Sequence, residues 1–412
     1  MTSQANKIEA DVAVIGGGPI GSYSALRLST KGYSVALIEE DPFIGRPQQC
    51  AGLVNPRLFD LPETGDLLED IRLNNIIGAD IISPSGKKLE LRGKGTKAVS
   101  IDRSEFDHLL FKKAVRSGAI PLLNQKAISV THGKNGGTIV RTTGGGTDHI
   151  VKARSVIGCE GTSSITRRSN MLRNPKHIIP GLSIEMIVEN GNNPTDLVCV
   201  LTGKNTARGF FSWALPAGPP GKIRIGLAAI NGPSLREGAS LLIKDPRLKE
   251  WLGFNGKMIG HMTWNYGAVP MGSPHELFKD NMIILGDSAG MAKPTSGGGI
   301  FPGFKAVDSL MSSIEGSEEL NEDVFTAFRS NWKKGYGREL ERSRLFRGVI
   351  SRIRDEEIEM VFEKLRDPEL LSLINDKGDI DHPLKLALSL LKKDPSLLKL
   401  IPRFLPHLRK LT

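Results

Sequence analysis

A chain of 412 residues with 39% hydrophobic and 24% charged content is long enough for about two to three domains and too apolar for a disordered protein. No apolar run approaches the ~20 residues of a membrane span, and the opening MTSQANKIEAD lacks the regions of a secretory leader, so a cytoplasmic protein is expected. The net charge of +10 suits anionic partners, but no nucleic-acid motif accompanies it, and Cys50, Cys159 and Cys199 lie too far apart for a disulfide framework or a zinc site, so neither nucleic acid nor metal is expected.

Residues 11–40 read DVAVIGGGPIGSYSALRLSTKGYSVALIEE. Val12, Val14 and Ile15 predict a buried strand. Gly16, Gly18 and Gly21 then complete G-x-G-x-x-G, a helix runs through Leu28, and a second apolar strand over 35–38 ends at Glu39. This is a βαβ unit with its glycines at the first turn and an acid at the tip of the second strand. Gly16 allows the tight turn, Gly18 lets the backbone approach a pyrophosphate, and Gly21 lets the helix pack closely on the sheet. The helix N-terminus offers N–H groups and a positive dipole end to phosphates. Glu39 can accept hydrogen bonds from a ribose diol, and Glu39 and Glu40 together disfavour a 2′-phosphate there.

Residues 41–57, DPFIGRPQQCAGLVNPR, are too irregular for a regular element. Short strands are expected at 88–92 and 99–101, then an amphipathic helix over 103–118 with Phe106, Leu109, Leu110 and Val115 on its apolar face. Strands at 127–131 and 138–142 flank a Gly-rich turn, a hairpin signal, and 150–157 returns to strand. The stretches 178–188, 197–201 and 223–229 predict an antiparallel sheet inserted between two parts of the first domain. NMIIL at 281–285 predicts a buried strand leading to Gly286-Asp287, and from Gly303 onward the pattern is helical. The expected division is therefore a dinucleotide domain over 1–170 and 275–315, a substrate domain over 171–274 to which part of 50–100 contributes, and a helical region over 316–412.

Two further stretches point to a flavin. ILGDSAGMAKPTSGGGIFPGFKAVDSL starts at Ile284. Asp287, at a strand's end, can bind a ribityl hydroxyl. The N–H groups at Gly299 and Ile300 can face the pyrimidine edge of an isoalloxazine, where negative charge collects on reduction. VIGCEGTSSITRR over 156–168 adds a strand, an acid between glycines, a hydroxyl run and paired arginines.

GGGPIG with Glu39, IGCEG before TRR, and LGDSAG with GGGI together resemble the glutathione-reductase-type flavoproteins of the p-hydroxybenzoate-hydroxylase architecture. Within them the chain is most similar to the geranylgeranyl reductase family, which includes archaeal enzymes that saturate the prenyl chains of ether lipids. The resemblance covers residues 11–310. RPQQCAGLVNP resembles the family's Cys-bearing loop beside the flavin, and GFFSWALPAG resembles its aromatic-x-Trp-x-aromatic-Pro signature. Trp213 and Pro216 are kept, Phe211 stands where Tyr is usual, and Leu215 replaces an aromatic. In IGCEG, Cys159 and Glu160 replace the usual Ala-Asp.

The resemblance implies an α/β fold: a Rossmann-like FAD domain, an antiparallel-sheet substrate domain and a helical C-terminal region. It implies FAD contacts at Ile20, Glu39, Cys50, Ala51, Leu53, Arg103, Ala127, Asp287, Gly299 and Ile300, beside the motif glycines. It implies substrate contacts at Phe211, Trp213 and Pro216, and it puts Cys50 at the reacting face as a proton donor or a shaping group. The implied reaction saturates C=C bonds of geranylgeranyl chains in prenyl lipids or prenyl diphosphates. No second G-x-G-x-x-G follows a strand, so the reductant is expected to be a transient NAD(P)H or a ferredoxin-like protein. A flavin monooxygenase of the same fold is an alternative. So is an electron-transfer flavoprotein to a quinone, although that class holds an iron–sulfur cluster on four cysteines. Halogenases carry W-x-W-x-I-P, which is missing here. Residues 384–412 mix Leu with Lys and Arg and have two readings: a peripheral contact with the inner face of the membrane, or a helical cap on the substrate domain.

Overall fold

The computed structural model describes residues 5–48, 50–133, 136–188, 192–230, 234–253, 263–315, 317, 319–379 and 382–397. Residues 398–412 of the basic C-terminal stretch lie outside them.

The first sheet grows from the βαβ unit. Asn6–Ile15 pairs in parallel with Val35–Ile38, Val12 opposite Val35 and Ile15 opposite Ile38. All four residues of Val35–Ile38 are buried, as a parallel strand covered on both faces requires. Ile120–Leu122 adds beyond it, and His149–Gly158 pairs along the other side of Asn6–Ile15. His149–Gly158 is long enough to serve two partners. Its first half pairs with Thr138–Thr143 of the expected hairpin, and its second half pairs with Met282–Ile284.

Three helices cover one face. Pro19–Thr30 packs on Arg103–Arg116 and Ile300–Ser313, with the Tyr23 and Phe304 rings stacked 4.0 Å apart. Tyr23 donates to Asp308 at 2.9 Å, and Arg27 pairs with the same carboxylate. The helix after the first turn is thereby tied to the helix after the Gly-rich turn, some 285 positions later in sequence.

The second sheet runs Thr263–Met271, His177–Ile187, Lys222–Ala228, Phe211–Pro216, Leu197–Leu201, Gly78–Ile82, Lys88–Arg92. The strands from the middle of the chain pair antiparallel, as the sequence pattern predicts. Gly78–Ile82 is a strand that the sequence pattern does not announce. It joins Leu197–Leu201 in parallel and brings Lys88–Arg92 with it. A small third sheet joins Leu53–Val54, Ala98–Ile101 and Arg72–Ile76 at the seam between the two.

The C-terminal helices close over the edge of the second sheet. The Asn375 side chain accepts from the Arg92 N–H at 2.8 Å, and Glu359 accepts from the Ser85 N–H and hydroxyl at 2.7 Å each. Arg57 pairs with Asp379 at 2.5 Å. These contacts make residues 355–379 a cap on the sheet. Among the described residues no helix is long and apolar enough to cross a membrane.

Candidate active site

A cavity of about 1250 Å³ lies where the two sheets meet. Its lining includes Gly16, Gly18, Ile20, Glu39, Cys50, Ala51, Leu53, Arg103, Ala127, Asp287, Gly299 and Ile300, and also Phe211 and Trp213. Gly21 and Pro216 stand outside the lining. Both departures have plain causes. Gly21 faces the strand, where an added Cβ would fall 1.8 Å from the Gly16 carbonyl oxygen. In Phe211–Pro216 side chains alternate between faces, so Phe211, Trp213 and Leu215 meet the cavity while Pro216 turns away. The Pro216 carbonyl accepts instead from the Ser100 hydroxyl at 2.7 Å.

One end of the cavity is built for a diphosphate. Gly16 holds φ +102°, and a Cβ there would fall 2.4 Å from the Cys159 carbonyl oxygen. Gly18 has nothing within 4 Å of a notional Cβ and leaves the backbone open to the cavity. Among the described residues the N–H groups of Gly18, Ile20 and Gly21 make no backbone hydrogen bond, so they are free for phosphate oxygens. Glu39 accepts from the Gly17 N–H at 2.5 Å and from the Asp41 N–H at 2.9 Å. Burial pushes its carboxyl above the usual range. The remaining lone pairs of Glu39 suit a ribose diol.

The other end is built around the Gly286-Asp287 turn. Gly286 holds φ +63°, and Ile20 fills the space against it and against Gly303. Ile20 is thus a wedge between the two helices that open onto the cavity. Glu160 accepts from Thr166 N–H at 2.9 Å, from Ser164 at 2.8 Å and from Ser288 at 3.3 Å, and Arg167 donates to the Ser288 carbonyl at 2.9 Å. The acid of IGCEG therefore holds the Asp287 turn in place. Burial raises the Cys159 thiol, which removes it as a nucleophile.

Asp287 makes no side-chain hydrogen bond among the described residues. Burial pushes its carboxyl up to about 6, against a lowering by Arg103. A half-buried carboxyl that lines the cavity without a donor of its own is a fit for a ribityl hydroxyl. The first N–H groups of Ile300–Ser313 open on the same side, with Gly299 as the cap. The raised value has a consequence for the FAD-free protein. A carboxyl with its folded pKa above 3.8 contributes stability below about pH 4 that is lost as pH rises through about 6. Asp287→Asn should therefore gain on the order of 2–3 kcal/mol relative to wild type between those limits, read by denaturant unfolding at several pH values. Parallel curves for the two proteins would refute this assignment.

Cys50 and Arg103 meet between the two ends. Arg103 is buried and grips Asp107 through two bonds of 3.1 and 2.8 Å. Burial opposes its charge, but Asp107 and a hydrogen bond with Cys50 hold it above the ordinary arginine range. A permanent cation therefore faces the cavity, complementary to a diphosphate. The Cys50 sulfur accepts from the Gly52 N–H at 3.5 Å.

Past Cys50 the lining turns apolar. Phe210 and Phe211 stack at 4.4 Å, and Trp213 meets Phe211 edge-on. The Trp213 ring lies over bare Gly226, where a Cβ would fall 2.4 Å from it. Beyond it stand Ala79, Ile81, Leu91, Val198, Val200 and Leu215, with Ile374 and Leu386 from the C-terminal helices. The sequence reading names the aromatic part, Phe211 and Trp213, and misses the aliphatic residues beyond it. Alternation along Leu197–Leu201 signals Val198 and Val200, but nothing local signals Ala79 or Leu386.

A family model for an FAD-binding domain matches residues 9–313, and the chain belongs to that family. It is an FAD-dependent oxidoreductase of mixed α/β fold, with FAD as its cofactor. Its relatives include a digeranylgeranylglycerophospholipid reductase of Methanococcus vannielii, 26% identical over 94% of this chain and 96% of that one. Another of that name, from Methanothermobacter thermautotrophicus, is 28% identical over 95% and 98%. Among solved structures, a geranylgeranyl bacteriochlorophyll reductase-like protein of Thermoplasma acidophilum shares the fold. Its TM-score is 0.78 at 20% identity over 96% of this chain and 98% of that one.

Proposed function

We propose that the protein reduces C=C bonds of geranylgeranyl chains carried by prenyl lipids or prenyl diphosphates. One observation carries the reading: the cavity lined by Gly16, Gly18, Cys50 and Asp287 is also lined by Trp213, Ala79, Val198, Val200 and Leu215, an apolar surface fit for an isoprenoid tail. The names of the archaeal relatives support the same substrate class.

In this reading Gly16, Gly18, the N-terminus of Pro19–Thr30 and Arg103 hold the pyrophosphate of FAD, and Glu39 holds the adenosine ribose. Ala127 lies beside the adenine, Asp287 takes a ribityl hydroxyl, and Gly299 and Ile300 face the pyrimidine edge. When bound and reduced, FAD supplies a hydride. One hydride and one proton add across the alkene, and the two electrons come from NAD(P)H or a ferredoxin-like protein. An isolated trisubstituted alkene accepts hydride poorly, so proton delivery must be coupled to it. Cys50, beside Arg103, acts at the reacting face as the proton donor or as a group that shapes it. Phe211, Trp213 and the aliphatic lining exclude water and align the chain, whose binding energy is almost wholly hydrophobic. The basic C-terminal stretch gives peripheral access to lipid at the membrane face.

Product analysis tests the proposal. Reduced protein incubated with geranylgeranyl diphosphate, or with a geranylgeranylated glycerophospholipid, should yield chains heavier by two hydrogens per bond saturated. Cys50→Ala should slow that step by about 10²-fold, a typical loss for a positioned proton donor. Unchanged chain masses would defeat the reading, and an unchanged rate in the variant would remove Cys50 from the chemistry.

A further inference from the structure

Arg224 lies on Lys222–Ala228 in the second sheet, between Glu185 and Leu215 in register. It is only 3% exposed and stands outside the cavity lining. Its Nε donates to Glu185 at 2.8 Å. Its Nη1 leaves the sheet and donates to two carbonyls, Ala51 at 3.1 Å and Ile101 at 3.0 Å. Ala51 follows Cys50, and Ile101 precedes Arg103 by two residues. The same two segments are joined by the Ile101 N–H, which donates to the Gly52 carbonyl at 2.8 Å. Gly52 is required for this approach: it holds φ +73°, and a Cβ would fall 2.4 Å from Arg224 Nη1.

We propose that Arg224 is the positioning residue that sets Cys50 and Arg103 against the reacting end of the cavity. The inference rests on the reading of Cys50 as a group at the reacting face. Charge-assisted bonds to carbonyls are among the stronger ones in a protein interior. Removing the donor takes the Arg224 bond from both carbonyls, the Ile101 contact being buried and the Ala51 contact part-buried, and frees the loop to move. Glu185 holds the guanidinium's other side and also pairs with Lys222 at 3.3 Å. The substrate sheet thus dictates the geometry of a loop that belongs, in sequence, to the flavin end.

The test uses FAD-loaded protein and the variants Arg224→Met, Arg224→Lys and Glu185→Gln. The first readout is the rate of Cys50 alkylation by iodoacetamide, resolved by peptide mass, with Cys159 and Cys199 as references. The second is single-turnover reoxidation of the flavin by geranylgeranyl diphosphate. Arg224→Met should raise Cys50 alkylation about tenfold, leave both references unchanged, and slow reoxidation about tenfold, the size of one lost buried hydrogen-bond donor. Arg224→Lys, which can still reach one carbonyl, should recover part of both. If Arg224→Met does not fold, Arg224→Lys and Glu185→Gln must still raise Cys50 alkylation. Alkylation of Cys50 within twofold of wild type in every folded variant overturns the proposal. A wild type that prenyl substrate never reoxidises defeats the proposed function, while the alkylation readout still decides the role of Arg224.

Discussion

Gly21→Val yields a protein that purifies without FAD. The added Cβ would fall 1.8 Å from the Gly16 carbonyl oxygen and 3.3 Å from the Cys159 Cβ. The nearer atom is backbone in the tight turn that follows Asn6–Ile15, so it has no rotamer through which to yield. The helix must lift off the sheet instead. That movement withdraws the N–H groups of Gly18 and Ile20 from the phosphate position and loosens the Tyr23–Phe304 stack. Overpacking of this kind costs about 1–3 kcal/mol or more. Misaligned donors add to that, and FAD affinity should fall by at least about 100-fold. Gly18→Ala separates the two effects. Its Cβ meets nothing within 4 Å, so the FAD-free variant should melt like wild type. The methyl group nonetheless projects where the pyrophosphate would lie, and FAD should be lost. The ratio of flavin to protein absorbance and the melting temperatures of the FAD-free proteins check both. A Gly21→Val protein with stoichiometric FAD would contradict the geometry.

Filling the apolar part of the cavity is the second large effect, and Ala79→Phe is the variant that produces it. Ala79 lines the apolar part of the cavity from the second position of Gly78–Ile82, remote in sequence from the motif glycines. A phenyl ring there would fill the cavity beside Val198, its partner in register, on the proposed path of the chain. Excluding one isoprene unit forfeits the burial of several methylene-sized groups at ~0.8 kcal/mol each, so kcat/KM for a geranylgeranyl chain should drop about 30- to 100-fold. FAD content should stay stoichiometric, and reoxidation by oxygen should keep its wild-type rate. Shorter prenyl chains should suffer less. Equal losses for short and long chains would mean that Ala79 lies off the substrate path.

The flavin end was legible in the sequence because each of its parts is local. Gly16, Gly18, Gly21 and Glu39 fall within one βαβ unit, and their roles follow from the turn they must make. Asp287 and Gly299 likewise sit in one strand-turn-helix. The substrate branch is different. It is assembled from six separated segments, and Ala79, Val200 and Leu386 come together only in the tertiary fold. A parallel pairing between Gly78–Ile82 and Leu197–Leu201 leaves no trace in either segment alone. Pro216 shows the limit of reading by motif. Its place in the signature suggests contact with substrate, yet strand alternation points it away and gives its neighbour Leu215 the cavity face. Arg224 escapes for the same reason: its partners lie at Ala51 and Ile101, more than 120 residues earlier.

Anaerobic stopped-flow reoxidation tests the central claim most directly. Protein reduced stoichiometrically under argon is mixed with geranylgeranyl diphosphate, with its fully saturated counterpart, with a quinone, or with air-saturated buffer. The account predicts that the unsaturated chain restores the oxidised flavin spectrum in a saturable reaction and that the saturated chain does not. Reoxidation by quinone or oxygen alone, with no response to the prenyl chain, would contradict it.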